Sequence, residues 1–258
     1  MAPWKPTSLY RYRPFGPDVY ERELSAIERP YVWCSTYKSM NDPMEGYYEI
    51  LADQEWREAG DGCSRSYEYL QPELRPAKRV WNHHRDDMTA SLLNQKSEIG
   101  LASFSETYEN DLMWAHYAKN YSGICIEYDY RRLTEAIEAD RDEFLEPVSY
   151  SDEVFQLPFP GSLDLSVVAR RILLRKKYCW HYENEWRLLS RVGQHELPPG
   201  SITAIFLGSR IDESFKKKLI HCVQGLAAEW HNTPSIVVLQ MTVVGYKHSF
   251  ERIETSPH

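Results

Sequence analysis

The densest run of chemically capable residues is Lys177 to Leu189, KYCWHYENEWRLL. Read as a strand from Tyr182 onward, its alternation places Glu183, Glu185 and Arg187 on one face and Tyr182, Asn184, Trp186 and Leu188 on the other. Two carboxylates and a guanidinium in a row need partners, water or a ligand, because an unpaired buried charge is expensive. Two readings follow: a structural Glu–Arg pair on a half-exposed strand, or a carboxylate fixed for work on a substrate. Two further sets stand apart in sequence. Ser103-Phe104-Ser105 closes the apolar run IGLASFS and puts two hydroxyls on one strand face, and LYRYR at Leu9–Arg13 alternates large and basic residues. His116 and Tyr117 fall in a short helical segment opened by Asp111 as N-cap; His116 is read there as a satisfied helix residue against the rival reading of a base.

The elements needed to position these groups can be read along the chain. Strands are expected at Leu9–Arg13, Tyr31–Ser35, Ile99–Ser105, Ser122–Asp129, Val148–Tyr150, Tyr182–Leu189, Ser201–Leu207, Ser235–Val244 and Tyr246–Arg252. Helices are expected at Asp18–Ile27, through much of Tyr47–Lys96, at Asp111–Ala118, Arg131–Phe144, Asp164–Lys177 and Glu213–Trp230. Trp81, Met88, Leu92 and Leu93 mark one side of the long polar stretch, and Phe215, Leu219, Val223 and Leu226 give the last helix its apolar stripe. Asp152 to Leu163 reads as a loop, and the polar turn MNDPMEG at Met40–Gly46 as punctuation or one lip of a site. Strands and helices mix without a βαβ rhythm, which predicts an α+β fold: one domain over 1–258, with a central split, mostly antiparallel sheet flanked by helices.

Bulk properties narrow the partners. The 258 residues are ordinary in hydrophobic (42%) and charged (26%) content, but 18 Tyr and 8 Trp point to an aromatic cleft or contact surface, or to a tyrosine-rich core. A net charge of −8 argues against non-specific nucleic-acid binding, although Arg170, Arg171, Arg175, Lys176 and Lys177 form a local basic patch. Five scattered cysteines without a C-x-x-C pair fit a reducing compartment rather than a zinc site or a disulfide framework. The nine histidines show no i, i+4 pair, and adjacent His83 and His84 diverge, so no metal is expected. No signal core and no membrane-length apolar run is present, which predicts a cytoplasmic protein without membrane contact.

LYRYRP, MNDPMEG, SFSETYENDLMWAHYAKNYSGICIEYD and YENEWRLL with IFLGS together resemble a bacterial family catalogued as domain of unknown function twenty-nine seventy-one. A more distant resemblance is to ADP-ribosyltransferases of the Arg–Ser–Glu type, which present an Arg, a Ser-x-Ser and a Glu-x-Glu on successive strands; the matching residues here are Arg11, Ser103 with Ser105, and Glu183 with Glu185. That resemblance implies an NAD-consuming ADP-ribosyltransferase or NAD glycohydrolase of the kind used as a toxin or phage-defence effector, with NAD as substrate and no metal. Glu185 would stabilise the ribosyl cation and Glu183 activate the acceptor, a protein or a nucleic acid. Arg11 would fork onto the pyrophosphate, Ser103 and Ser105 would position the Arg and the Glu, and Tyr12 or Tyr117 would stack on nicotinamide. The rival is a non-catalytic module on the same scaffold that recognises a nucleotide or a protein.

Overall fold

The computed structural model describes residues 5–51, 74–138, 144–158, 164–229 and 235–254. In chain order the elements are β1 (Ser8–Arg13), α1 (Tyr20–Glu28), β2 (Tyr31–Thr36), β3 (Glu49–Leu51), α2 (Leu74–Glu98), β4 (Ile99–Ser105), α3 (Asp111–His116) and β5 (Ile124–Asp129). Next come α4 (Tyr130–Glu138), β6 (Phe144–Pro147), β7 (Ser149–Tyr150), β8 (Gln156–Pro158), α5 (Leu165–Leu173) and β9 (Arg175–Lys176). The chain closes with β10 (Glu185–Arg191), β11 (Gly193–Glu196), β12 (Ile202–Leu207), α6 (Glu213–Glu229), β13 (Val237–Val244) and β14 (Lys247–Ile253). The fold is α+β, a mixed and mostly antiparallel sheet flanked by helices. The chain forms two compact units: Met1–Ser35, Leu101–Val148 and Cys179–His258 in the first, Thr36–Gly100 and Ser149–Tyr178 in the second.

The first unit carries a ten-stranded sheet whose main path runs β11-β2-β4-β1-β5-β12-β13-β14. It forks at β4, which is bonded to β2, β1 and β10, and β10 carries β6 as an antiparallel neighbour. β1 joins β4 through one pairing, Tyr10 opposite Ser105, and lies along the whole of β5 from Ser8 opposite Asp129 to Arg13 opposite Ile124. β12 and β13 are parallel, and α6 makes the crossover between them. Its Leu219, Val223 and Leu226 are buried, as the stripe read from the sequence requires. Two glycines are fixed by close approach rather than by turn geometry. A Cβ on Gly123 would sit 2.2 Å from the Arg13 carbonyl oxygen, and one on Gly208 would sit 2.1 Å from that of Tyr121.

In the second unit α2 and α5 pack through Leu92, Val168, Ala169 and Ile172, and short parallel pairs join β3 to β8 and β7 to β9. The MNDPMEG turn is fastened here. Asp42 Oδ1 accepts from the Met44 amide at 2.9 Å, and Lys96 Nζ donates to the Gly46 carbonyl at 2.7 Å. The Lys96 ammonium lies 4.9 Å from the Tyr37 ring centre and 4.8 Å from that of Tyr48. Burial first, then Lys38, lowers its pKa from the ordinary lysine value.

Several expectations need correction. Tyr178–Glu183 is a 3₁₀ segment and the strand begins at Glu185, because Asn184 takes a left-handed φ of 42° that no strand can carry through. The cap of α3 is Asn110 rather than Asp111, since its side chain accepts from the amides of Leu112 and Met113. Phe144 opens β6 instead of ending a helix, and Gln156–Pro158 pairs with β3 instead of forming loop, a long-range contact that local pattern does not carry. Leu93, beside buried Leu92, is 42% exposed. The side chains of Trp81, His83 and His84, and all of Cys63, lie outside the described residues.

Candidate functional site

The strand motifs assemble into two separate places on the first unit. Tyr10 and Ser105 are direct cross-strand partners, so they share a face, and alternation puts Tyr12 with them and Arg11 on the opposite face. Arg11 therefore does not meet the serine and glutamate motifs. Its guanidinium instead lies 5.3 Å over the ring of Phe104, the residue between the two serines.

On the Ser105 face the loop 178–184 is tied down by its backbone. Ser105 Oγ donates to the Glu183 carbonyl at 2.7 Å, and Asn110 Nδ2 donates to that of Tyr182 at 2.6 Å. The Tyr117 hydroxyl donates to Glu183 Oε1 at 2.5 Å, and His116 Nδ1 is 3.2 Å from the Tyr182 hydroxyl. Burial, then the bond to Glu183, pushes the Tyr117 hydroxyl far above the ordinary tyrosine range, so it stays a proton donor. Burial and Glu183 push Tyr182 up to about 12. Tyr12 is buried nearby, its hydroxyl donating to the Thr107 carbonyl at 2.9 Å and its ring edge-on to Trp114. Glu185 is closed by its own strand. Arg187 Nε meets Oε1 at 2.7 Å and Nη2 meets Oε2 at 3.0 Å, with Glu185 3% and Arg187 0% exposed. Ser103 is half-buried on the same side of β4 as Ser105. Ser103, Ser105, Tyr117, Glu183 and Glu185 thus belong to one polar layer, in which the Glu185 carboxylate is matched by a guanidinium rather than presented to solvent.

The other face of β1 opens on a cleft of about 490 Å³. Alternate residues line it: Arg11 and Arg13 from β1, Ile126 and Tyr128 from β5, Tyr31, Trp33 and Ser35 from β2, with Arg22, Glu23 and Ala26 from α1. That alternation identifies the side chains, rather than the backbone, as the walls. Glu23 takes a fork from Arg13 (Nε 2.9 Å, Nη2 2.7 Å) and another from Arg22 (Nε 3.1 Å, Nη2 2.7 Å). Burial alone would raise the Glu23 carboxyl, but the two forks prevail and hold it below its ordinary value. Arg11 has no such partner: among the described residues no hydrogen bond or ion pair engages its guanidinium, and burial, then Arg13, draws its pKa down. Three guanidiniums against one carboxylate leave two positive charges in a cleft walled by tyrosine and tryptophan.

Arg13, Arg22, Glu23, Tyr31, Trp33 and Tyr128 were not expected at a site. The signal was present in LYRYR and YVWCS, whose alternation puts Arg11 with Arg13 and Tyr31 with Trp33, and also separates Arg11 from Tyr12. Among the described residues no group of three or more His, Cys, Asp or Glu is placed to hold a metal, and no helix is long and apolar enough to cross a membrane.

Residues 113–188 match the model of a family described as protein of unknown function (DUF2971). That span includes Tyr117, Glu183, Glu185 and Arg187, and from the cleft Ile126 and Tyr128, but not Arg11 or the serine motif. No curated protein and no solved structure matches the chain.

Proposed function

We propose that the chain is a nucleotide-recognition module that takes a phosphorylated nucleoside into the Arg11 cleft. The observation that carries this reading is the Arg11 guanidinium, drawn into a concave aromatic wall with no carboxylate of its own. A half-buried charge left unmatched costs free energy, and a bound phosphate supplies the missing anion through the bidentate geometry that guanidinium favours. The remaining positive charge of the Arg13–Glu23–Arg22 cluster adds attraction for a second anionic oxygen, and Trp33, 53% exposed, offers a ring on which a base can stack. The NAD-consuming reading has weaker support, because it needs Arg11 and the glutamates in one cleft, and they lie on opposite faces of β1.

Titration calorimetry with NAD, ADP and AMP tests the proposal. Arg11→Gln keeps a polar side chain but shortens it and loses the charge, and a charge-assisted contact of about 1.5–3 kcal/mol predicts affinity falling roughly tenfold or more. Affinity indifferent to Arg11→Gln refutes the site. Release of nicotinamide from NAD that disappears in Glu185→Gln with an unchanged melting curve would restore the catalytic reading.

A further inference from the structure

The register of the edge strand extends the cleft's aromatic wall outward. Trp33 of β2 is directly opposite Gln194 of β11, and Tyr31 is opposite Glu196. Direct partners share a face, so Gln194 and Glu196 stand beside the two rings on the side that lines the cleft, while Val32 and His195 are buried on the other. β11 ends the main strand path, and Gln194 is exposed, with no hydrogen bond to its side-chain amide among the described residues. A planar ring stacked on Trp33 would therefore present its edge to an unengaged carboxamide, with its phosphates directed inward to Arg11. Glu196 reinforces that direction, since a carboxylate at the outer rim repels phosphate there.

Building on the nucleotide reading above, we propose that Gln194 reads the base and that the ligand class is an adenine nucleotide. A carboxamide offers one acceptor and one donor, the complement of the amine and ring nitrogen that adenine presents side by side. Along the N7 edge hypoxanthine has a carbonyl where adenine has the amine, so it presents two acceptors side by side and neither orientation of the Gln194 carboxamide satisfies both. Guanine would instead favour the Glu196 carboxylate.

The test is calorimetric titration of the full chain, wild type and Gln194→Leu, with ADP, IDP, GDP and inorganic pyrophosphate. The wild type is expected to bind ADP about tenfold or more tighter than IDP or GDP. Gln194→Leu should bring ADP and IDP together while leaving pyrophosphate affinity unchanged. Equal affinity of the wild type for ADP and IDP, tighter binding of GDP, or an ADP preference that survives Gln194→Leu overturns the assignment but leaves the nucleotide reading standing. Failure of all four ligands to bind overturns both.

Discussion

Replacing Arg11 by methionine should strengthen the fold and weaken ligand binding by roughly tenfold or more, an opposition that a structural arginine would not produce. Arg11 and Arg13 share a strand face two residues apart, so their side chains root about 7 Å from each other. Two like charges at that spacing repel by roughly 2 kcal/mol at an effective dielectric near 20. Glu23 neutralises Arg13 and removes a good part of this, leaving about 1 kcal/mol. Methionine also spares the desolvation of a guanidinium that no carboxylate meets, and it keeps apolar contact with Phe104. Against these gains stands the lost cation–π contact with Phe104, about 0.5–1 kcal/mol. The balance is a variant more stable by about 1 kcal/mol, or a melting temperature higher by about 2–4 °C. Thermal melts with and without 1 mM-scale ADP read both effects, because a ligand that binds only the folded state raises the wild-type melt and should raise that of the variant by clearly less. A melt lowered by several degrees in the free variant would show that Arg11 holds the sheet together, and the anion-anchor argument would fall with it.

Glu185→Gln should lower stability by about 3–5 kcal/mol while leaving nucleotide affinity unchanged, because it breaks the fully buried ion pair with Arg187; chemical denaturation and calorimetry check the two halves. Glu23 gives an acid signature: its folded pKa lies below the unfolded value near 4.5, so its stabilisation is complete above that value and is lost as pH falls through the depressed folded pKa. In Glu23→Gln the melting temperature should change less between neutral pH and pH 3 than in wild type. Gly46→Ala forces a side chain onto a backbone with φ of 70° and a Cβ 3.3 Å from Leu173 Cδ2, and should cost about 1–2 kcal/mol in an equilibrium melt. Asn110→Ala removes both the cap of α3 and the bond to the Tyr182 carbonyl, with an expected loss of about 1–3 kcal/mol by the same measurement.

Much of the architecture could be read locally. The alternation of SLYRYR, YVWCS, ICIEYD and SITAIFL and the stripe of the last helix locate the sheet and its crossover, because each pattern records which side faces the core. What could not be read were elements made by distant partners. The β8 segment is a strand only because β3 lies beside it, and β11 only because β2 does. The site was legible in part. Ser105, Tyr117, Glu183 and Glu185 do gather, but a linear motif order does not say which face a strand turns, and the single pairing of Tyr10 with Ser105 decides that Arg11 looks the other way. The Glu185–Arg187 fork was one of the two readings available from alternation alone, and the geometry realises it.

The long reach of β1 bears on how the protein is made. Ser8 and its hydrogen-bond partner Glu127 are 119 residues apart, and the whole length of β1 is held by β5. During synthesis Arg11, Arg13, Trp33 and the first helix leave the ribosome early, yet the Phe104 ring beneath Arg11 and the Tyr128 wall follow only much later. A nascent chain halted before β5 would carry three arginines and no cleft. Closing so long a loop is slow relative to local helix formation, since its entropy must be spent before the pairing returns it. Ligand capture therefore waits until about half of the 258-residue chain has been made, when Tyr128 completes the walls, and a ligand that binds the folded cleft would draw the closure of β1 onto β5 forward without altering any earlier step.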